Sequence, residues 1–135
     1  MTAKNSEMYE YQVKEIVRVV DGDTVDVIID LGFSLTKKER VRLAGIDAPE
    51  SRTTNLEEKE LGMDAKEFLE RRLADCPSLK VQTEKDGKYG RMLGHFVCGQ
   101  MDINKEMVTR GFAWPYDGGS RHKDLQALKQ IRGII

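Results

Sequence analysis

Long apolar runs are missing. Nowhere does the chain hold the roughly 18 consecutive apolar residues that a membrane-crossing helix requires, so no membrane partner is expected. Histidine is scarce, with two, and so is cysteine, with two, Cys76 and Cys98, in no CxxC pair. That argues against a zinc site and leaves free thiols or one bridge open, with Cys98 reading as a small buried apolar residue. An excess of one charge is missing too. Lys and Arg number 22 against 23 Asp and Glu, a net charge of −1, so attraction to a polyanion has to come from a local patch. Met1 to Met8 is polar and lacks the apolar stretch of a secretory signal, so an intracellular location is expected and residues 1–8 read as a flexible N-terminus.

What is present suits one domain over residues 9–135, since 135 residues with 39% apolar and 33% charged side chains can enclose one core. Tyr9 to Val20, rich in Val, Ile and Tyr, reads as a strand. Asp21-Gly22 then makes a tight turn, and Thr24 to Leu31 alternates Val25, Val27, Ile29 and Leu31 against Asp26 and Asp30. Gly32 to Lys38 is expected to be a loop, with a third strand from about Glu39 to Ala44, and Gly45 marks a bend. Ser51 to Leu56 reads as a mobile polar loop. Leu61, Ala65, Phe68, Leu69 and Leu73 fall at helical spacing, so one stripe packs a helix from about Glu57 to Ala74 while Glu57 and Glu58 read as its surface. Strands at Leu79 to Thr83 and Arg91 to Val97 follow. Then come a helix at Ile103 to Met107 capped by Asp102 and a last one on Leu125, Leu128 and Ile131. Five strands with interleaved helices point to an OB-type barrel of α+β class.

The chemistry concentrates between Val19 and Glu50. Asp23, at the mouth of the first hairpin, and Asp47, on a Pro-containing bend, offer hard carboxylate oxygens suited to Ca²⁺, Mg²⁺ or Mn²⁺, and the Ala48 backbone carbonyl can add a third. Arg42, pointing opposite to Val41 and Leu43, and Arg91 present planar donor forks that match a phosphate. Glu50 is a candidate base for an attacking water. Lys88 and Tyr89 can hold a neighbouring phosphate. Taken singly, each of these is more often a turn or a solvated charge, and it is the combination that points to a metal-assisted phosphate site. His95 and His122 read as structural or solvated.

The order DGDT, then VRLAGIDAPE, then KYGR at Lys88 to Arg91 resembles the staphylococcal nuclease (thermonuclease) family, and the likeness runs from about Tyr11 to Gly133. Lys59, Gly62, Ala65 and Phe68 also resemble the family's first helix. The resemblance implies a five-stranded OB-fold barrel with three helices. It implies one Ca²⁺ ion held by Asp23, Asp47 and the Ala48 carbonyl, with Arg42 and Arg91 on the scissile phosphate, Glu50 as general base, and Lys88 and Tyr89 on the adjacent 3′ phosphate. Ala48 stands where the best-known member has threonine, a mild change if only the carbonyl binds metal. Trp114 and Tyr116, within Ala113-Trp114-Pro115-Tyr116, resemble the family's aromatic pair beside the nucleotide base, although a core or rim position for Trp114 is equally open. The implied activity is calcium-dependent endo- and exonucleolytic hydrolysis of DNA and RNA. Single-stranded substrates would be preferred, with little sequence specificity, 3′-phosphate products and a monomer as the default. The competing class is a non-catalytic OB-fold module that binds nucleic acid or protein, and such a module needs none of the Asp23, Arg42, Asp47, Glu50 and Arg91 set.

Overall fold

The computed structural model describes residues 8–84, 92–119 and 123–134. β1 (Met8–Asp21), β2 (Thr24–Gly32) and β3 (Leu35–Leu43) form an antiparallel meander. The alternation read from β2 holds through Ile29 and not beyond: Val25, Val27 and Ile29 are buried and Asp26 on the opposite face takes the Arg40 guanidinium at 2.7 Å, whereas Leu31, expected on the buried face, is 42% exposed near the end of the hairpin. Gly32 to Lys38, expected to be a loop, is mostly strand. Only Phe33 and Ser34 form the turn, both at positive φ, and the ladder continues through Asp30↔Thr36 and Ile28↔Lys38. The polar, exposed residues of early β3 are ordered by backbone pairing rather than by burial, which is why no periodicity announced them.

β4 (Ile46–Asp47) leads into α1 (Leu56–Ala74), and β5 (Leu79–Glu84) and β6 (Met92–Cys98) follow. β5 pairs with β1 and β6, and β6 runs parallel to β3 through Val41↔Met92 and Leu43↔Gly94, which closes a five-stranded mixed barrel. β7 (Met101–Asp102), α2 (Ile103–Thr109), β8 (Trp114–Pro115) and α3 (Leu125–Arg132) complete the described residues, in which there are three helices, an OB-type α+β fold.

α1 starts at Asn55, whose side chain accepts the Glu58 N–H at 3.1 Å, and its stripe of Leu61, Ala65, Leu69 and Leu73 is buried against the barrel. Asp102 caps α2 as expected, accepting the Lys105 N–H at 3.2 Å. Asn104, only 1% exposed, donates to the Ala44 and Gly94 carbonyls and accepts the Phe96 N–H, tying α2 to the β3–β6 seam. Cys98 is not the buried apolar residue expected: it is half-buried and bonded to Cys76, joining the end of α1 to the end of β6. α3 docks on α1 through buried Leu128 and the ion pairs Lys129–Glu57 and Arg132–Asp64, whereas Ile131 is 55% exposed, so its part in the expected apolar stripe is corrected. Arg132 also lies over the Phe112 ring, which stacks on Phe68. His95 sits 3.4 Å from Asp102 in a structural position.

Candidate active site

The hairpin between β1 and β2 turns at Gly22 and Asp23, because Asp21 pairs directly with Thr24. A Cβ at Gly22 would lie 2.7 Å from that of Ala65 and 3.0 Å from that of Ala48, so the glycine lets the turn lie against α1 and the Asp47-Ala48 bend. Gly45, with φ of +80°, bends the chain after β3. β4 then pairs with β8, Asp47 opposite Trp114, and this sets Asp47 beside Arg42.

Asp23 and Asp47 converge on Arg42. Its guanidinium lies 3.6 Å from Asp23 Oδ2 and 3.5 Å from Asp47 Oδ1, and all three residues are no more than 8% exposed. Arg42 points away from the Val41 and Leu43 face, as the alternation requires, but turns inward and donates to the Leu43 and Ile46 carbonyls at 3.1 and 2.9 Å. Asp23 is fixed in turn by the Ala48 N–H at 2.8 Å and the Thr24 hydroxyl at 2.9 Å. The cluster thus holds two buried carboxylates against the Arg42 guanidinium, and the charge of Asp47 is also felt by the Lys123 ammonium.

Such a donor set fits a hard cation: two convergent carboxylates and the adjacent Ala48 carbonyl are all oxygen, the chemistry Ca²⁺ and Mg²⁺ prefer. Among the described residues no three acidic, His or Cys side chains converge as a complete cage, so water and substrate oxygens would have to fill the remaining positions.

Glu50 follows on the same bend with its side chain 52% exposed, available to a ligand. Its backbone is packed tightly. A Cβ at Gly62 would lie 2.3 Å from the Glu50 carbonyl oxygen, so only glycine at that helix position admits the bend. Glu58 Oε2 accepts the Glu50 N–H at 3.0 Å and also receives Lys123 Nζ at 3.0 Å. Ser51 is 2% exposed and donates to Asp21 Oδ1 through both its N–H and its hydroxyl, so the start of the expected mobile loop is anchored instead. Burial disfavours the Glu58 carboxylate, but the Glu50 N–H and Lys123 outweigh it and hold the group below the ordinary glutamate range. The hydrogen bond from Lys123 to Glu58, helped by the charges of Glu50 and Asp47, holds the ammonium above the ordinary lysine range.

Asp23, Arg42, Asp47, Ala48 and Glu50 are therefore gathered at one place. Lys88, Tyr89 and Arg91, with His122, lie outside the described residues. Trp114 is 8% exposed and its Nε1–H donates to the Asp124 carbonyl at 3.0 Å, an arrangement that favours the core alternative over a stacking surface. Tyr116 is half-buried, with its hydroxyl donating to the Gly119 carbonyl. Glu58, Lys123, Asp21 and the role of Gly62 were missed from the sequence. Glu58 had read as helix surface; the Asn55-x-x-Glu58 spacing of a capping box was the one signal placing it beside the preceding segment.

A family model described as staphylococcal nuclease homologue matches residues 40–132. A micrococcal nuclease from Shigella flexneri is 36% identical over 124 residues, spanning 83% of this chain and 63% of its own length. An uncharacterized endonuclease from Escherichia coli O157:H7 is 33% identical over 125 residues, 88% of this chain and 74% of that one. A thermonuclease from Staphylococcus hyicus is 29% identical over 103 residues, covering 76% and 58%. The chain spans only 25% of a longer probable staphylococcal-like nuclease from Oryza sativa subsp. japonica.

Proposed function

The chain belongs to the staphylococcal nuclease family, and from that premise we propose that it is a metal-dependent phosphodiesterase acting on DNA and RNA with little sequence preference. The observation that carries the reading is the convergence of the buried Asp23 and Asp47 carboxylates on Arg42, beside an exposed Glu50. A binding module needs neither this pair of buried acids nor the exposed Glu50 beside them. Relatives named as micrococcal nuclease, thermonuclease and endonuclease support the same activity.

In this reading Asp23, Asp47 and the Ala48 carbonyl would hold one Ca²⁺ ion. When bound, it offsets phosphate charge and orients the scissile group. Glu50 takes a proton from water as the water oxygen bonds to phosphorus. The bond from phosphorus to the 5′ oxygen breaks, the departing oxygen takes up a proton, and the product keeps a 3′ phosphate. Arg42 supplies donors to the oxygens on which charge accumulates, and Arg91 takes the same role from its own segment. Arg42 meets the Leu43 and Ile46 carbonyls through Nη1 alone, so those bonds fix the guanidinium without engaging all its donors. Lys88 and Tyr89 hold the neighbouring phosphate, and Tyr116 flanks the base.

Cleavage of single-stranded DNA with Ca²⁺, with Mg²⁺ and with chelator tests this. Calcium-dependent cleavage is expected. Binding without cleavage in every metal would replace it with the non-catalytic OB module.

A further inference from the structure

Glu58 is 7% exposed, and a buried carboxylate is stable only with partners. One of its oxygens has two: the Glu50 N–H and the Lys123 ammonium, each at 3.0 Å. Lys123 reaches further, to 3.6 Å from Glu50 Oε1. The ammonium thus bridges a buried acid of α1 and the exposed acid at the site. We propose that Lys123 and Glu58 are positioning residues for Glu50, with Glu58 fixing its backbone and Lys123 restraining its carboxylate. The proposal rests on the hydrolytic reading of Glu50.

Two features separate this arrangement from an ordinary surface ion pair. Lys123 is placed by the chain around it: the next residue, Asp124, accepts the Trp114 Nε1–H at 3.0 Å through its carbonyl and caps α3 through its side chain. Trp114 in turn pairs with Asp47, so the segment bearing Lys123 is tied to the acidic cluster and to Glu50 at once. Moreover, α3 is already strapped to α1 by Lys129–Glu57 and Arg132–Asp64, neither of which involves Glu50. Docking of the helix does not require Lys123. An exposed glutamate without a restraint samples several rotamers, and holding one of them near a water is an orientation effect.

The test compares Lys123→Met, Lys123→Arg, Glu58→Gln and, as a structural control, Lys129→Met. It measures kcat and KM on single-stranded DNA with Ca²⁺ together with exchange of the Glu50 amide proton. Lys123→Met is expected to lower kcat on the order of tenfold at unchanged KM, with Lys123→Arg restoring most of it and Lys129→Met matching the native chain. The Glu50 amide, whose N–H Glu58 accepts, should exchange faster in Glu58→Gln, where a neutral amide oxygen is the weaker acceptor. Native kcat in Lys123→Met, or an equal loss in Lys129→Met, would overturn the proposal. If the native chain cleaves nothing, the hydrolytic reading fails separately, and unchanged amide exchange then overturns the clamp itself.

Discussion

Arg42 carries two duties in one side chain, as counter-ion to Asp23 and Asp47 within the fold and as the proposed phosphate ligand. Its removal takes away the guanidinium that lies 3.6 and 3.5 Å from two carboxylates that are 8% and 5% exposed. Arg42→Ala is therefore expected to lower stability by about 3 kcal/mol in chelator, the scale for breaking a buried pair. Added Ca²⁺ should recover much of that loss, because an ion on the same carboxylates replaces the missing charge. Denaturant unfolding with and without Ca²⁺ checks this; a loss of equal size in both conditions would contradict a shared cation site. The sequence made Asp23, Arg42 and Asp47 legible because the motifs that hold them lie close along the chain. Glu58 and Lys123 stayed hidden, since what matters about them is a contact between residues 65 positions apart.

Among the elements, α1 does more than cover the barrel. Its glycine at position 62 leaves room for the Glu50 carbonyl against the helix backbone, where a Cβ would fall 2.3 Å from the oxygen. Gly62→Ala gains helix propensity of about 1 kcal/mol, yet the clash is with backbone that cannot swing aside. The variant is expected to lose stability on balance and to lose cleavage more than Gly62 alone would suggest, since the displaced bend carries Glu50. Thermal unfolding and initial rates measured together check it, and a stabilised, fully active variant would contradict the packing. α1 and β2 were readable because each buries one face and so leaves a period in the sequence. The first half of β3 buries neither face, and its polar composition looked like loop.

The whole molecule combines a barrel closed by β3 and β6 with a disulfide that ties α1 to β6. The bridge encloses a sequence separation of 22, so reduction is expected to lower stability by roughly 3 kcal/mol through the freed unfolded chain. Unfolding with and without reductant measures this, and identical curves for verified reduced and oxidised protein would contradict it. The barrel brings the β1–β2 turn, the end of β3 and the start of α1 to one place, and the central claim is that this place hydrolyses phosphodiesters through Glu50. The most direct test is single-turnover cleavage of single-stranded DNA in Ca²⁺ by the native chain and Glu50→Gln, with binding followed in parallel. The account predicts unchanged binding and a loss in rate on the order of a hundredfold or more. Equal rates would contradict it.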